Sequence, residues 1–389
     1  MKLAKRISHM TGGGDDGWQV YYMARSMIAE GQRVLNLTIG EHDIRTDRSI
    51  LDEMHKSALA GNTGYSIGAG SPALRAAIAE RVTARTGVPT SPQNVFVTPG
   101  GQAALFAAHM LVLDQVDKAL FCDPYYATYP GTIRATGAQA VAVQAASEAG
   151  FQPDAAALAK AAPGARSLLI NSPNNPTGVI YSRATLDGIA KVCREHDLWL
   201  ISDEVYDTQV WQGEHISPRA LPGMTERTLV VGSLSKSHAM TGSRIGWLIG
   251  PEPVIEGMAA LANNTTYGIP AFIQAAGLFA LNQGTGFEDQ IAAPFRRRRE
   301  IALKTLGGSR AYSIIPSAGG MYVMLDLRAT GLSGNAFAER LLHREKIAVM
   351  PGESFGQASA GHVRIALTIA DDAFAEAMAR IRRFCETLN

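Results

Sequence analysis

The stretch VVGSLSKSHAMTGSRIGW, residues 230–247, carries the strongest indication of the fold. Its first residues continue an apolar run typical of a buried strand, and the run ends in a polar segment that places Lys236 between serines. A lysine at the end of a strand is most often a solvated surface residue. The interpretation of Lys236 therefore depends on whether other reactive groups gather at the same place.

The chain around this stretch alternates short aliphatic strands with amphipathic helices. In RATLDGIAKVCREHD, residues 183–197, the apolar side chains Leu186, Ile189 and Cys193 recur at helical spacing. Near-continuous apolar strands that alternate with such helices are typical of a parallel sheet covered on both faces. We therefore predict an α/β protein with a large, mostly parallel sheet.

The last quarter of the chain has a different pattern. Residues 295–306 predict a long helix, residues 319–327 and 362–368 predict strands, and the chain closes with an amphipathic helix. We interpret this part as a smaller α+β domain. The predicted units are an N-terminal segment packing with the small domain (1–40), a large domain (41–285) and a small C-terminal domain (286–389).

Composition excludes several classes of protein. The 389 residues are 46% hydrophobic and 18% charged with a net charge of +1, which gives no electrostatic case for nucleic acid or an acidic membrane as partner. No segment approaches the roughly 18 apolar residues of a membrane span, and the basic N-terminus lacks the apolar run of a signal peptide. Cys122, Cys193 and Cys385 fit neither a disulfide framework nor a metal site. We expect a cytoplasmic protein without a metal.

Polar clusters follow four of the predicted strands, in TPGG, SPNNPTG, SDEVY and SLSKS. In open parallel sheets, ligands bind beyond the carboxyl ends of the strands. We therefore expect Lys236 to share one site with Asn175, Asp203, Tyr206 and Arg244.

This set of side chains suits pyridoxal 5′-phosphate. A lysine forms a Schiff base with the aldehyde of that cofactor, and a carboxylate such as Asp203 keeps its ring nitrogen protonated. Asn175 and Tyr206 suit its phenolic oxygen. The phosphate needs amides at a helix N-terminus, hydroxyl groups and a guanidinium group. The candidates for these contacts are Gly100, Gly101, Gln102, Ser233, Ser235 and Arg244.

Nine motifs in order give the chain a family resemblance. The chain resembles the class I/II aminotransferases, the fold-type I pyridoxal-phosphate enzymes related to aspartate aminotransferase, over nearly its whole length. The motifs are NLTIGEHD, GYSIGAGSPALR, VTPGGQAAL, DPYYATYPG, SPNNPTG, SDEVYD, SLSKSHAMTGSRIGW, AVMPGESFG and VRIAL.

The resemblance implies roles for individual residues. It makes Lys236 the Schiff-base lysine and proton shuttle, Asp203 the partner of the ring nitrogen, and Asn175 and Tyr206 the donors to the phenolic oxygen. Tyr126 occupies the place of a ring that stacks on the cofactor.

The resemblance also implies substrate contacts and an assembly. Arg364 matches the clamp on the substrate α-carboxylate, a bidentate task suited to arginine, and Gly40 and Asn175 match neighbouring contacts. Tyr65 matches a residue that reaches the cofactor phosphate of the neighbouring subunit, which implies a homodimer with shared active sites.

Two positions depart from the family pattern. His42 stands where the family usually has proline, and Gln102 is neutral where some bacterial aspartate enzymes carry a lysine for the side-chain carboxylate of the substrate. The aromatic candidates for lining the substrate pocket are Trp18, Tyr21, Tyr22 and Tyr267. The candidates for binding a second carboxylate are Arg25 and Arg45.

The sequence thus predicts an aminotransferase that moves an amino group from an amino acid to a 2-oxo acid, commonly 2-oxoglutarate. We expect a neutral or aromatic donor rather than aspartate. The alternatives are an aspartate aminotransferase and a lyase that cleaves β-carbon–sulfur bonds, although NNPTG has the transaminase form. A non-catalytic alternative is the effector-binding module of a transcription regulator, which the sequence disfavours because no winged-helix segment precedes the family match.

Overall fold

The computed structural model describes residues 2–11 and 17–388. Within them the chain forms thirteen strands. In chain order these are β1 Leu35–Asn36, β2 Val95–Thr98, β3 Lys118–Asp123, β4 Gln139–Gln144, β5 Ala165–Asn171, β6 Trp199–Asp203, β7 Thr228–Ser233, β8 Gly246–Ile249, β9 Ser313–Ile315, β10 Tyr322–Asp326, β11 Ile347–Ala348, β12 Met350–Pro351 and β13 His362–Ala366.

The described residues also form fourteen α-helices. These are α1 Lys5–Ser8, α2 Gln19–Ala29, α3 Arg48–Leu59, α4 Pro72–Thr86, α5 Gly101–Val112, α6 Tyr129–Arg134, α7 Ala155–Ala161, α8 Arg183–Glu195, α9 Leu234–Ser237, α10 Glu252–Asn263, α11 Ala271–Leu281, α12 Thr285–Leu306, α13 Gly334–Glu345 and α14 Asp371–Glu386. None of the helices in these described ranges is long and apolar enough to cross a membrane.

The central sheet has seven strands in the order β2-β8-β7-β6-β5-β3-β4. Strand β8 is antiparallel to both of its neighbours, and every other pair in this sheet is parallel. All residues of β2, β7 and β8 are buried, as expected for strands covered on both faces. The predicted mostly parallel sheet is confirmed.

Successive side chains of each strand point to opposite faces of this sheet, so both faces are apolar and both are covered by helices. Val231 packs in one cluster with Leu105 of α5, whereas Val230 packs in another cluster with Leu74 of α4. Strands β5, β6 and β7 run parallel, so the residues that follow them meet at one edge. The predicted site lies at that edge.

A second layer contains the C-terminal elements. Its antiparallel sheet has the order β12-β13-β10-β9, and the N-terminal strand β1 pairs in parallel with β11. Phe295, Phe337 and Phe374 of three different helices are buried in its core, together with Val20 of α2. The smaller layer of helices and antiparallel strands agrees with the predicted α+β character. The domain boundaries at residues 40 and 285 stay a prediction.

Candidate active site

A cavity of about 300 Å³ lies at the carboxyl ends of β5, β6 and β7. Most of the predicted site residues line it. They are Gly40, Gly101, Gln102, Tyr126, Asn175, Asp203, Tyr206, Ser233, Ser235, Lys236, Arg244 and Arg364. Two predicted residues, Gly100 and Tyr65, do not line this cavity.

Lys236 reaches the cavity from the short helix α9, which follows the buried strand β7 directly. Its Nζ donates a hydrogen bond to the carbonyl oxygen of Gly40. Burial lowers the pKa of Lys236 below its usual value, because desolvation disfavours the charged ammonium. A lysine with a lowered pKa holds more of its amine in the neutral, reactive form near neutral pH.

Asp203 ends strand β6 and is 4% exposed. Its Oδ2 accepts a 2.7 Å hydrogen bond from the Tyr129 hydroxyl, and its Oδ1 accepts a 3.3 Å bond from the Val205 amide. Burial raises the pKa of the Asp203 carboxyl to about 6, against the opposing effect of the Tyr129 hydrogen bond. The carboxyl group is therefore held in place but loses its proton only near neutral pH.

Sequence reasoning missed Tyr129, although it lies within the motif DPYYATYPG. Its ring is buried at the start of α6 and packs edge-on to Tyr126, with ring centroids 5.8 Å apart. Its contact with Asp203 joins residues 74 positions apart. The signal available in the sequence was a third aromatic residue in a motif already singled out.

Arg364 lies on β13 between two aromatic rings, with its guanidinium carbon 4.2 Å from the centroid of Tyr322 and 4.3 Å from that of Phe355. Its Nη1 donates a 2.8 Å hydrogen bond to Asn175 Oδ1, and its Nη2 donates to the carbonyl oxygen of Thr38. The side chain is 2% exposed. Rings on both faces fix the plane of the guanidinium, so its orientation in the cavity is set before a ligand arrives.

Tyr322 is a second residue that sequence reasoning missed. Its hydroxyl lies 3.2 Å from the hydroxyl of Tyr206. A Cβ at position 40 would lie 1.7 Å from the same hydroxyl, so the backbone there requires glycine. Burial and the neighbouring Tyr322 raise the pKa of Tyr206 well above its usual value, so its hydroxyl keeps its proton.

An anion cradle lies where α5 begins. A Cβ on Gly100, which has φ +82°, would come within 2.3 Å of Arg244 Nη2, so the absence of a side chain leaves room for the guanidinium. Ser233 Oγ donates to Ser235 Oγ over 2.9 Å, and Arg244 Nη1 donates to the carbonyl oxygen of Thr241 over 2.8 Å. Backbone amides at a helix start, hydroxyl groups and a guanidinium are suitable ligands for a phosphate.

Gln102 is tied to helix α6 rather than pointing unrestrained into the cavity. Its Nε2 donates to Thr132 Oγ1 over 3.1 Å, and its Oε1 accepts from Thr128 Oγ1 over 3.0 Å. Trp18 alone among the four aromatic pocket candidates lines the cavity. The others, Tyr21, Tyr22 and Tyr267, do not, and neither do Arg25 and Arg45.

Two further residues were singled out in the sequence. His42 Nε2 donates a 3.0 Å hydrogen bond to the backbone carbonyl oxygen of Lys236, and burial together with the charge of Lys236 lowers its pKa to about 4. His42 thus supports the lysine backbone and does not line the cavity. Tyr65 is 97% exposed and packs on Tyr267, with ring centroids 5.9 Å apart. Its role across a subunit boundary stays a prediction.

Comparison with known proteins agrees with this geometry. The family model described as aminotransferase class I and II matches residues 32–381. The chain is 40% identical to an arginine–pyruvate transaminase of Pseudomonas aeruginosa, over 98% of this chain and 97% of that protein. It is 36% identical to an aspartate/prephenate aminotransferase of Thermus thermophilus, over 92% of this chain and 93% of that protein.

Solved structures show the same similarity. The structure of the Thermus thermophilus aspartate aminotransferase with maleate superimposes with a TM-score of 0.91 at 34% identity, covering 98% of this chain and 99% of that chain. An aromatic aminotransferase from Pyrococcus horikoshii superimposes with a TM-score of 0.88 at 31% identity, covering 94% and 99% of the two chains. The protein therefore belongs to the class I and II aminotransferases and is an enzyme of this pyridoxal-phosphate-dependent family.

Proposed function

We propose that the cavity around Lys236 binds pyridoxal 5′-phosphate and transfers an amino group from a neutral or cationic amino acid to a 2-oxo acid. The observation that carries the proposal is the placement of Lys236, Asp203 and Arg364 around one cavity. An amine, a carboxylate and a clamped guanidinium are the three groups that this chemistry needs.

The residues present fit the cofactor. Asp203 is a buried carboxylate suited to a protonated ring nitrogen, and Asn175 and Tyr206 suit the phenolic oxygen. The cradle formed by the start of α5, Ser233, Ser235 and Arg244 suits the phosphate. When bound, the cofactor supplies an aldehyde and an electron-withdrawing ring.

The protein groups then have separate tasks. Lys236 Nζ is the base that takes a proton from the substrate Cα, and the lowered pKa of Lys236 makes the neutral amine accessible. The ionised carboxylate of Asp203 holds a proton on the ring nitrogen by charge. The pKa of Tyr206 is raised well above its usual value, so its hydroxyl keeps its proton and can donate a hydrogen bond to the phenolic oxygen of the cofactor.

Arg364 binds the α-carboxylate of the amino acid. Its two ring neighbours fix the plane of the guanidinium, and its bond to Asn175 sets the rotation within that plane. A fixed guanidinium loses little freedom when it forms a bidentate pair, which favours binding.

The donor side chain is selected by the remaining charges in the cavity. Among the described residues that line it, the cations are Lys236, Arg244 and Arg364. Each of these has a task in the proposal, and Gln102 is neutral and tied to Thr128 and Thr132. A second substrate carboxylate would therefore be desolvated without a partner, which is costly. This argues against aspartate as the preferred donor.

A cationic donor is favoured by Glu41. Its side chain lines the cavity, and its Oε1 accepts a 3.1 Å hydrogen bond from Thr241 Oγ1. A carboxylate in this place is suited to a guanidinium or ammonium group on the donor. The 40% identical relative from Pseudomonas aeruginosa is named an arginine–pyruvate transaminase, which supports arginine as the first donor to test and pyruvate beside 2-oxoglutarate as acceptor.

The assembly that goes with this function is a homodimer with shared active sites, in which Tyr65 contacts the cofactor phosphate bound by the partner. Its support is the exposure of Tyr65 and Tyr267, which stand together on the surface of the single chain. Sedimentation of the cofactor-loaded protein should give about twice the chain mass of 41.4 kDa. A fully active monomer would rule the assembly out.

The test of the function has two stages. Pyridoxal phosphate is added to the protein, borohydride is added to trap covalent attachment, and peptide mass spectrometry should locate the label on Lys236. Single-turnover efficiencies are then measured from the cofactor absorbance for arginine, alanine, methionine, phenylalanine and aspartate. A label on another lysine would exclude the site, and an aspartate efficiency tenfold above the rest would exclude the donor assignment.

Glu41→Gln separates the two donor classes. If Glu41 pairs with a cationic side chain, this variant should reduce the efficiency with arginine by about twofold to fivefold while leaving alanine nearly unchanged, since Glu41 is exposed and ion pairs at exposed positions contribute about 0.2–1 kcal/mol. Equal losses with both donors would show that Glu41 supports the cavity without selecting the side chain.

A further inference from the structure

A second cavity of about 360 Å³ lies away from the active site. It is lined by Val230, Gly232 and Trp247, which belong to the central sheet. Val230 and Trp247 pack in the cluster on the face of the sheet opposite to helix α5. Helix α4 and the loop that follows β6 form the other walls. This cavity therefore has no residue in common with the cofactor cradle.

Four of the charged groups near this cavity balance one another. Arg81 Nη1 donates to Asp207 Oδ2 and Arg81 Nη2 to Glu288 Oε1, both over 2.8 Å. Arg85 contacts the same two carboxylates at 3.2 and 3.1 Å. Two arginines and two carboxylates thus form a closed network with no net charge.

Glu204 has its own partners. Its Oε1 accepts from Ser202 Oγ over 2.9 Å and from Ser217 Oγ over 2.8 Å. Its Oε2 accepts a 3.1 Å hydrogen bond from His215 Nε2. The contact with Glu204 raises the pKa of His215, and the pair of Glu204 and protonated His215 carries no net charge.

Arg219 is the cation that these pairs leave over. The residue is 3% exposed and lines the cavity, and its Nη1 donates a 2.6 Å hydrogen bond to Thr90 Oγ1. Within residues 2–11 and 17–388, Arg219 forms no ion pair with a carboxylate, and its Nε has no acceptor. Burial lowers the pKa of Arg219, and the charges of Glu226 and Glu204 offset this only in part because neither carboxylate contacts the guanidinium. An anion in direct contact with Arg219 would therefore be bound favourably.

Two other walls of the cavity offer unsatisfied polar atoms. Thr208 Oγ1 and His215 Nδ1 are buried and have no hydrogen-bond partner among the described residues. Both residues line the same cavity as Arg219. Because its Nε2 donates to Glu204, His215 offers a donor at Nδ1 only when the ring is protonated, and the contact with Glu204 raises the pKa of His215. The Thr208 hydroxyl, the protonated imidazole and the Arg219 guanidinium then supply hydrogen-bond donors suited to an anion.

We propose that this cavity binds a small monoanion, a carboxylate or a halide, through Arg219, Thr208 and His215. A single negative charge compensates the one unpaired guanidinium, whereas a larger polyanion would meet the carboxylates of Glu204 and Asp207 on the same walls. The site is separate from the amino-acid site and does not depend on the transamination proposed above.

The test uses the protein saturated with pyridoxal phosphate, so that the active-site cradle is filled. Crystals are grown without halide and soaked in sodium bromide, and the anomalous signal of bromide is mapped. A peak beside Arg219 is expected in the wild type and in Arg183→Met, an exposed control. The peak should be lost in Arg219→Met. Absence of the wild-type peak, or its persistence in Arg219→Met, overturns the proposal.

Calorimetry in solution distinguishes the two anion sources. Bromide and acetate are titrated separately into the wild type, Arg219→Met and Thr208→Val. At least tenfold weaker binding is expected in Arg219→Met, and a smaller loss in Thr208→Val, which also serves if the first variant fails to fold. If only acetate binds, the site is selective for a carboxylate. If acetate and bromide both bind, the site recognises a single negative charge. Binding unchanged in both variants overturns the proposal.

Discussion

Tyr129 donates a 2.7 Å hydrogen bond from its hydroxyl to Oδ2 of Asp203, and both side chains are buried. The same tyrosine packs edge-on to Tyr126, which lines the active-site cavity. Burial raises the pKa of Asp203 and this hydrogen bond lowers it. Tyr129 thereby orients the carboxylate and keeps it more acidic than burial alone would allow.

Tyr129→Phe should reduce kcat by about tenfold, because a hydrogen bond to a charged group contributes about 1.5–3 kcal/mol and part of this loss is recovered by relaxation. The pKa of Asp203 should also rise in the cofactor-free protein. The measurement is kcat together with the midpoint of unfolding against pH. Tyr312→Phe is the matched control, since Tyr312 is buried but does not line the cavity. Equal effects in both variants would refute a specific role for Tyr129.

Asp203→Asn should lower kcat by about a hundredfold or more while cofactor binding weakens less. The amide carries no charge to hold a proton on the ring nitrogen, and electrostatic stabilisation of this kind contributes about 3 kcal/mol. The measurement compares kcat with the dissociation constant of the cofactor. Near-normal turnover in the variant would show that Asp203 is not the partner of the ring nitrogen.

The cofactor-free Asp203→Asn protein should be more stable than the wild type above pH 6. The pKa of this carboxyl is 3.8 in its ordinary state and about 6 in the folded protein, so the folded state binds the proton more tightly. The protonated carboxyl of Asp203 therefore favours the folded state fully below pH 4. This contribution to the free energy of unfolding is lost as the pH rises through 6. The rise of this pKa from 3.8 to about 6 corresponds to a change of at most about 3 kcal/mol in the free energy of unfolding. Urea unfolding at pH 4 and pH 8 measures it, with the exposed Asp187→Asn as control, and a gain that is equal at both pH values would contradict the pKa assignment.

Gln102→Lys should raise the efficiency with aspartate relative to alanine by about tenfold. The variant adds a cation to the cavity wall, where a second substrate carboxylate has no partner among the described residues. Single-turnover efficiencies for the two donors measure the change, and Gln102→Met controls for loss of the bonds to Thr128 and Thr132. If aspartate gains nothing, the side chain of the donor does not face residue 102.

His109→Leu should stabilise the protein, and more at pH 5 than at pH 8. His109 is buried in α5, and neither ring nitrogen has a partner among the described residues. Burial lowers its pKa from 6.5 to about 4, so the unfolded state takes up the proton first and stability is lost as the pH falls from 6.5 through 4. The difference between the two pH values should be about 2 kcal/mol. The free energy of unfolding is measured by chemical denaturation at both pH values for this variant and for the exposed His55→Leu. If both variants change it by the same amount at each pH, the pKa of His109 is not lowered by burial.

The sequence was sufficient to predict the sheet and most of the cavity wall. Apolar strands followed by polar segments predict parallel strands whose ends meet. Asp203 ends such a strand, Lys236 lies in the short helix α9 directly after one, and Asn175 and Arg244 lie in loops. A polar segment directly after an apolar strand can be recognised in the sequence because it depends only on a few adjacent residues.

Only the tertiary structure decided the contacts between distant elements. Tyr129 meets Asp203, and Arg364 is enclosed by Tyr322 and Phe355, because helices and strands from separate parts of the chain pack together. Arg298 belongs to a run of four arginines, residues 296–299, in helix α12. In the fold it is 3% exposed and paired with Asp43 and Asp371.

The amino-acid pattern by itself therefore determined the fold class, the aminotransferase resemblance and the candidates for the cofactor site. The tertiary structure decided which of these candidates share a cavity, which side chains hold them, and where Glu41 and Arg219 stand. The physical reason is that periodicity and strand-end motifs depend on neighbours in the chain, whereas burial, pKa shifts and unpaired charges depend on packing between residues far apart in sequence.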